Sequence, residues 1–83
     1  MTGQEEVFRK FMSEGHSAAW DQDWEKAVVA YQSALDEIPD DPKALNSLGM
    51  VLFELQRLDE SLQAYQLAAR AAPDDPLPHE RIA

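Results

Sequence analysis

The tetrapeptide PDDP occurs twice in this 83-residue chain, at residues 39–42 and 73–76, and the two occurrences are 34 residues apart. Between residues 15 and 42, ten of the 28 positions are identical to the residue 34 positions later, among them Gly15 with Gly49 and Tyr31 with Tyr65. A fixed period of this length is typical of stacked repeats, in which each unit is too small to bury its own apolar face. The sequence therefore predicts repeats that must pack on each other.

Each repeat carries apolar residues at steps of three and four, the spacing that places side chains on one face of an α-helix. The pattern has two parts per repeat, which predicts an all-α fold built from pairs of helices. The second helices carry Trp24, Ala27, Val28, Tyr31, Ala34, Leu35 and Ile38, and then Leu58, Leu62, Tyr65, Ala68, Ala69 and Ala72. The first helices carry Phe8, Phe11, Gly15 and Ala18, and then Leu45, Leu48, Gly49 and Leu52.

PDDP is predicted to form the boundary between one repeat and the next. Proline lacks a backbone donor and clashes with the turn before it, so Pro39 should end the preceding helix. Asp41 is placed to cap the following helix, with Pro42 as its first residue. Because the second PDDP repeats this arrangement, residues 76–83 are predicted to begin a third repeat.

Gly15 and Gly49 lie inside predicted helices, where glycine costs roughly 0.5–1 kcal/mol relative to alanine. Both occupy the same place in their repeats. We expect a close approach of the paired helix at these points, with the small residues Ala27 or Ser61 opposite. Gly3 lies outside the repeats, so the same reasoning gives it no packing role.

These residues resemble the tetratricopeptide repeat signature, in which a large residue, leucine, glycine and tyrosine precede a small residue, an aromatic residue and proline at fixed steps. The second repeat matches through Leu45, Leu48, Gly49, Leu52, Ser61, Tyr65 and Pro73. The first matches through Phe11, Glu14, Gly15, Ala18, Ala27, Tyr31 and Pro39. Glu14 departs from the usual buried leucine and Ala18 from a large aromatic residue. A terminal helix that packs on one side tolerates such changes.

The resemblance implies an α-solenoid of antiparallel helix pairs that forms a right-handed superhelix of about two and a half repeats. We expect a single domain over residues 1–83, with repeat one at 8–41, repeat two at 42–75 and the start of a third at 76–83. Three or more repeats are usually needed for stability, so the chain is expected to be a fragment of a longer array or an N-terminal module of a larger protein.

Charge and composition disfavour several functions. A net charge of −9 argues against nucleic acid and anionic membranes as partners, and no stretch is long and apolar enough to span a bilayer. There is no cysteine, and His16 and His79 lack companion ligands, so neither a metal nor another cofactor is expected. Ser13 and His16 could touch, but no acid is placed to orient the histidine, so the chain is not expected to be an enzyme. The absence of a secretory signal at the N-terminus predicts a cytoplasmic location.

In the family that the chain resembles, the first helices line a concave groove that binds peptides of partner proteins. The positions that this resemblance assigns to the groove are Arg9, Met12, His16, Trp20, Lys43, Asn46, Ser47, Met50, Phe53 and Arg81. A well-known variant holds a C-terminal carboxylate with a lysine–asparagine–asparagine–lysine–arginine set, of which only Arg81 is present here. That specialised role is therefore not supported. The predicted groove is neutral to mildly basic, which favours a peptide with an apolar anchor and an acidic group.

An alternative hypothesis is a structural or assembly module that self-associates through the open end of the solenoid or through its convex face. The second helix of repeat two carries an apolar stripe that only the start of a third repeat could cover, and exposed stripes of this kind often mark interfaces. Possible homo-oligomers would then form through the C-terminal end.

Overall fold

The computed structural model describes residues 3–72, which form four helices and no strand. The helices are α1 (Gly3–Trp20), α2 (Trp24–Glu37), α3 (Pro42–Glu54) and α4 (Leu58–Ala71). Each helix packs on the next one along the chain. This confirms the predicted all-α solenoid of helix pairs, with α1 and α2 forming repeat one and α3 and α4 forming repeat two. The second PDDP and the predicted third repeat lie outside the described residues.

The helix α1 begins before residue 8, where the first repeat was predicted to begin. Its first turn is tied to the end of α2, because the side-chain amide of Gln4 donates a hydrogen bond to the backbone carbonyl of Glu37. The residues ahead of the predicted repeat therefore extend the first helix and contact its partner.

The turns inside the two helix pairs have the same geometry. Gln22 has φ = 62° and Gln56 has φ = 61°, so both adopt the left-handed conformation that ends many helices. The amide of Asp23 donates to the carbonyl of Ala18 at 2.8 Å, and Arg57 makes the equivalent bond to Leu52 at 2.9 Å. Bonds of this pattern satisfy carbonyls at a helix C-terminus that would otherwise have no partner.

The connection between the repeats follows the prediction made from PDDP. α2 ends at Glu37, just ahead of Pro39, and Pro42 is the first residue of α3. The Asp41 carboxylate accepts a hydrogen bond from the amide of Ala44 at 2.9 Å and thereby caps α3. Proline contributes no donor at the first helical position, so one fewer backbone N–H of this turn needs a partner.

The core joins the two repeats. Buried side chains of α2 and α3 form its centre, and Tyr31 and Val51 are the largest fully buried side chains. Trp24, predicted as a core residue, is half-buried and packs against this cluster.

Gly15 and Gly49 allow each pair of helices to pack closely. A methyl group on Gly15 would lie 2.4 Å from the ring of Tyr31, and one on Gly49 would lie 2.8 Å from the ring of Tyr65. The prediction of close approach is confirmed, and Ser61 lies against Gly49 as expected. The tyrosine ring occupies the space, while the Ser61 hydroxyl donates to the carbonyl of Gly49 at 2.7 Å.

The apolar stripe on α4 is only partly buried. Leu58 and Leu62 were predicted on the same stripe as Tyr65, yet they are 56% and 42% exposed, whereas Tyr65 is buried. Their equivalents in α2, Trp24 and Val28, belong to or pack against the core. The reason for the difference is that α3 lies on α2, whereas none of the described helices lies on the corresponding side of α4.

Candidate functional site

The surface formed by α1 and α3, called here the first-helix surface, contains nine of the ten positions predicted for the groove. Since each helix pair is antiparallel, α1 and α3 run in the same direction. Exposed on this surface are Arg9, His16, Trp20, Lys43 and Phe53. Half-buried are Met12, Asn46, Ser47 and Met50. Arg81, the tenth position, lies outside the described residues.

A hydrogen-bonded group, called here the Tyr31 junction, connects three helices at the base of this surface. The Tyr31 hydroxyl lies 2.7 Å from Nδ1 of His16 on α1, and the Ser47 side chain on α3 is near enough to affect the pKa of that hydroxyl. The His16 and Tyr31 rings meet edge to face, with their centroids 5.5 Å apart. Thus two of the predicted groove residues lie next to a buried residue of α2.

Burial raises the pKa of the Tyr31 hydroxyl above its ordinary value near 10, and the neighbouring Ser47 side chain offsets part of that shift. Tyr31 is only 1% exposed. Its hydroxyl therefore holds the His16 ring from within the packed part of the molecule.

Sequence reasoning missed this junction because it paired His16 with Ser13 on the same helix. A usable signal was nevertheless present. Gly15 leaves room for the ring of Tyr31, and His16 is the next residue along α1. A polar side chain beside such a glycine is therefore well placed to reach the tyrosine hydroxyl.

Two large aromatic side chains project from the first-helix surface. Trp20, the last residue of α1, is 88% exposed, and Phe53, near the end of α3, is 58% exposed. Because α1 and α3 run in the same direction, both residues lie toward the same end of the surface. Exposed aromatic residues of this size are frequent anchors of protein interfaces.

Polar groups occupy the other end and the middle of α3. Lys43 is exposed in the first turn, and Asn46 lies one turn further on. The Asn46 Oδ1 atom is buried and has no hydrogen-bond partner within the described part of the chain. A buried acceptor in this state gains free energy when a donor reaches it.

A hollow with a volume of about 390 Å³ lies between α2 and α4, away from the first-helix surface. Its floor consists of Leu45, Leu48 and Leu52 of α3, and Arg57 and Glu60 stand at its edge. These two charged side chains form an ion pair with Nε and Oε2 2.6 Å apart. The hollow is formed largely by the second helices, so it is separate from the first-helix surface.

Within residues 3–72, no three His, Asp or Glu side chains come together in a way that could hold a metal ion. None of the four helices is both long enough and apolar enough to cross a membrane.

A protein-family model described as tetratricopeptide repeat matches residues 12–76 of the chain. The match includes the second half of α1, all of α2, α3 and α4, and both occurrences of PDDP. No curated protein matches the chain.

Proposed function

This chain belongs to the tetratricopeptide repeat family, and on that basis we propose that it binds a peptide segment of a partner protein on the first-helix surface. Tetratricopeptide repeats generally mediate protein–protein interactions, and members of the family are typically scaffolds without enzymatic activity. The proposal assigns the interaction to particular residues of this chain.

The observation that supports this surface most strongly is the exposure of Trp20 and Phe53. An aromatic side chain gains considerable free energy when a partner removes it from water, and alanine scans of interfaces often find such residues to be the main anchors. Met50 lies on α3 one turn before Phe53 and is half-buried. Together, Met50 and Phe53 form an apolar contact surface, and Met50 packs against the core.

The spacing along α3 indicates what the peptide must carry. Lys43, Asn46, Met50 and Phe53 follow at steps of three and four residues, so they lie on one face of the helix. From Lys43 to Phe53 the helix rises about 15 Å, which an extended peptide spans with about four to five residues. We expect an acidic group near Lys43, a backbone or amide donor near Asn46 and an apolar side chain near Phe53.

Arg81 was also predicted to contact the acidic group. It lies outside the described residues, and its part in binding stays a prediction from the sequence. Within the described chain, Arg9 and Lys43 are the basic side chains of the first-helix surface, and Lys43 is the one on the same helix as Phe53.

The experiment selects peptides that bind the full chain from a random displayed library and measures their affinities for three variants. Phe53→Ala should weaken binding about tenfold, and Lys43→Glu about fivefold with a steeper loss at low salt. Glu60→Lys is the control, because Glu60 lies at the edge of the hollow between α2 and α4. It should change the affinity less than about twofold.

Two results would contradict the proposal. One is a set of selected peptides without an acidic residue four to five positions from an apolar one. The other is a Glu60→Lys effect larger than that of Phe53→Ala, which would move the binding site to the second helices.

A further inference from the structure

The two ring nitrogens of His16 have different surroundings. Nδ1 lies 2.7 Å from the hydroxyl oxygen of Tyr31, a buried residue of α2. The two nitrogens of an imidazole ring point in largely opposite directions, and His16 as a whole is exposed. Nε2 is therefore the nitrogen directed away from the core, toward whatever binds the first-helix surface. The groups involved lie on α1, α2 and α3, all within the described residues.

The contact between Nδ1 and the Tyr31 hydroxyl has two possible arrangements when the ring is neutral. A neutral imidazole has one N–H group and one nitrogen with a lone pair, and the hydrogen bond made by one nitrogen determines the state of the other. When the Tyr31 hydroxyl donates to Nδ1, the ring proton is on Nε2 and the surface presents a donor. When Nδ1–H donates to the Tyr31 oxygen, Nε2 presents an acceptor instead.

The chemistry of the two groups favours donation by Tyr31. A phenol ordinarily loses its proton near pH 10 and an imidazole binds one near pH 6.5, so the phenolic O–H is a good donor and the imidazole lone pair a stronger acceptor than the phenolic oxygen. The opposite arrangement would need a second acceptor for the buried hydroxyl proton. Ser47, the neighbour on α3, instead lowers the pKa of this hydroxyl, which is the effect of a group that donates toward the oxygen.

We propose that Tyr31 is a positioning residue that keeps the proton of the neutral His16 ring on Nε2, so that His16 donates a hydrogen bond to a backbone carbonyl of the bound peptide. This inference rests on the proposed function of the first-helix surface and adds a requirement to it. A backbone carbonyl is chosen because the acidic side chain of the peptide is assigned to Lys43. An extended peptide also offers such a carbonyl at every residue.

The position of the Tyr31 junction indicates where along the peptide this carbonyl lies. Ser47, the part of the junction on α3, is one turn after Lys43 and precedes Phe53 by six residues. The carbonyl therefore belongs between the acidic group and the apolar side chain of the peptide. In repeat two, Met50 replaces the histidine, so Tyr65 has no ring at that position to orient.

The first experiment observes the His16 ring directly, by proton–nitrogen NMR of the full chain at a pH at which the spectrum shows a neutral ring. The nitrogen shifts distinguish a protonated ring nitrogen from one with a lone pair, and the His16→Gln variant identifies which signals belong to His16. We expect one tautomer, with the proton on Nε2.

Two tyrosine variants test the positioning role in the same spectrum. Tyr31→Phe should replace the single tautomer of His16 by a mixture, because the donor to Nδ1 is lost. Tyr65→Phe is the matched control and should leave the His16 signals unchanged. A purely structural role of Tyr31 would not change the tautomer. Circular dichroism of both variants establishes that the helices are retained.

The second experiment measures how the peptides selected on the full chain bind the His16 variants. His16→Ala should weaken binding about fivefold, the effect of losing one hydrogen bond. His16→Gln keeps an N–H donor at a similar reach and should stay within about twofold of the parent. The loss caused by His16→Ala should be the same for every alanine variant of the peptide, because each of them keeps its backbone carbonyls.

A His16 ring with its proton on Nδ1 overturns the proposal, as does a tautomer that is unchanged in Tyr31→Phe. An unchanged affinity of His16→Ala overturns the recognition by His16. If the loss disappears when one acidic side chain of the peptide is removed, the acceptor is a carboxylate and the choice of a backbone carbonyl is wrong. The spectrum needs no peptide, so it tests Tyr31 even if the library yields no binder, a result that would count against the proposed function.

Discussion

Repeat one and repeat two have the same backbone plan but differ in the side chains on their outer sides. Both consist of an antiparallel helix pair with a left-handed glutamine in the turn and a glycine facing a tyrosine ring. The outer side of α1 is polar, with Glu14 and Asp21 exposed, whereas the outer side of α4 is apolar, with Leu58 and Leu62 exposed. The backbone of a repeat therefore does not determine whether its outer side is polar or apolar. The side chains at a few surface positions determine it.

The two repeats also differ in the polar bonds that join their helices. In repeat one, His16 meets the Tyr31 hydroxyl, and Met50 occupies the equivalent position in repeat two. In repeat two, Ser61 donates to the carbonyl of Gly49, and Ala27 at the equivalent position has no hydroxyl to donate. Each repeat therefore has one side-chain bond that the other lacks, at a different place in the same framework.

The largest expected effect comes from filling the space beside the shared glycines. Gly15→Leu and Gly49→Leu should each lower the free energy of unfolding by about 3 kcal/mol, because the added side chain overlaps a buried tyrosine ring. The loss at Gly15 should be the larger of the two, since the added Cβ would lie 2.4 Å from the ring at Gly15 and 2.8 Å at Gly49. Urea unfolding measures both values.

Gly3→Leu provides the control for these variants, because nothing lies within 4 Å of a methyl group added at Gly3. It should leave the stability nearly unchanged. If Gly49→Leu unfolds at the same urea concentration as the parent, close helix packing does not explain the glycines.

The second prediction concerns the Tyr31 junction. Repeat two has Met50 at the position of His16, so this junction has no equivalent histidine there. Tyr31→Phe should cost about 1–2 kcal/mol, because it removes the hydrogen bond to His16 at a buried residue. It should also change the dependence of stability on pH. Burial raises the pKa of the Tyr31 hydroxyl in the folded state, so the unfolded chain loses this proton at lower pH than the folded chain.

The direction of the pH effect follows from this difference in the pKa of Tyr31 between the folded and the unfolded chain. The contribution of Tyr31 is fully present below pH 10, and it is lost as the pH rises above about 10, where the unfolded chain ionises first. Tyr31→Phe should remove this part of the decline, and Tyr65→Phe should retain it. Chemical unfolding at pH 8 and pH 10.5 makes the comparison. An equal decline in the Tyr31→Phe variant and the parent would show that other groups cause it.

The smallest effect is expected where the repeats are most alike. Gln22→Gly and Gln56→Gly should each raise the free energy of unfolding by about 0.5–1 kcal/mol, because glycine adopts the left-handed conformation without the strain of a side chain. With φ angles of 62° and 61°, the two gains should be equal within error. A gain at only one site would mean that the glutamine at the other makes contacts that offset the strain.

Much of the fold could be predicted because it depends on short-range effects repeated twice. The steps of three and four predicted the helices, the prolines predicted their ends, and Asp41 was identified as a cap from its position before Pro42. Each of these effects involves residues within a few positions of one another, so the sequence contains all the interacting groups.

The candidate site was less predictable. Helical phase placed Trp20 and Phe53 on the first helices, but it could not show that Met12 and Met50 are half-buried against the core. It also paired His16 with a neighbour on its own helix. The actual partner, Tyr31, is 15 residues away on α2, and only the packing of the two helices brings the rings together.

The sequence by itself determined the period, the helices, their boundaries and the positions where two helices approach closely. Only the tertiary structure decided which apolar faces are covered. A helix such as α4 has apolar residues on more than one side, and periodicity alone does not show which of these sides is buried. Whether Leu62 is buried like Val28 depends on whether another helix lies beside it. That is a property of the assembled molecule, because burial is defined by the neighbour and not by the residue.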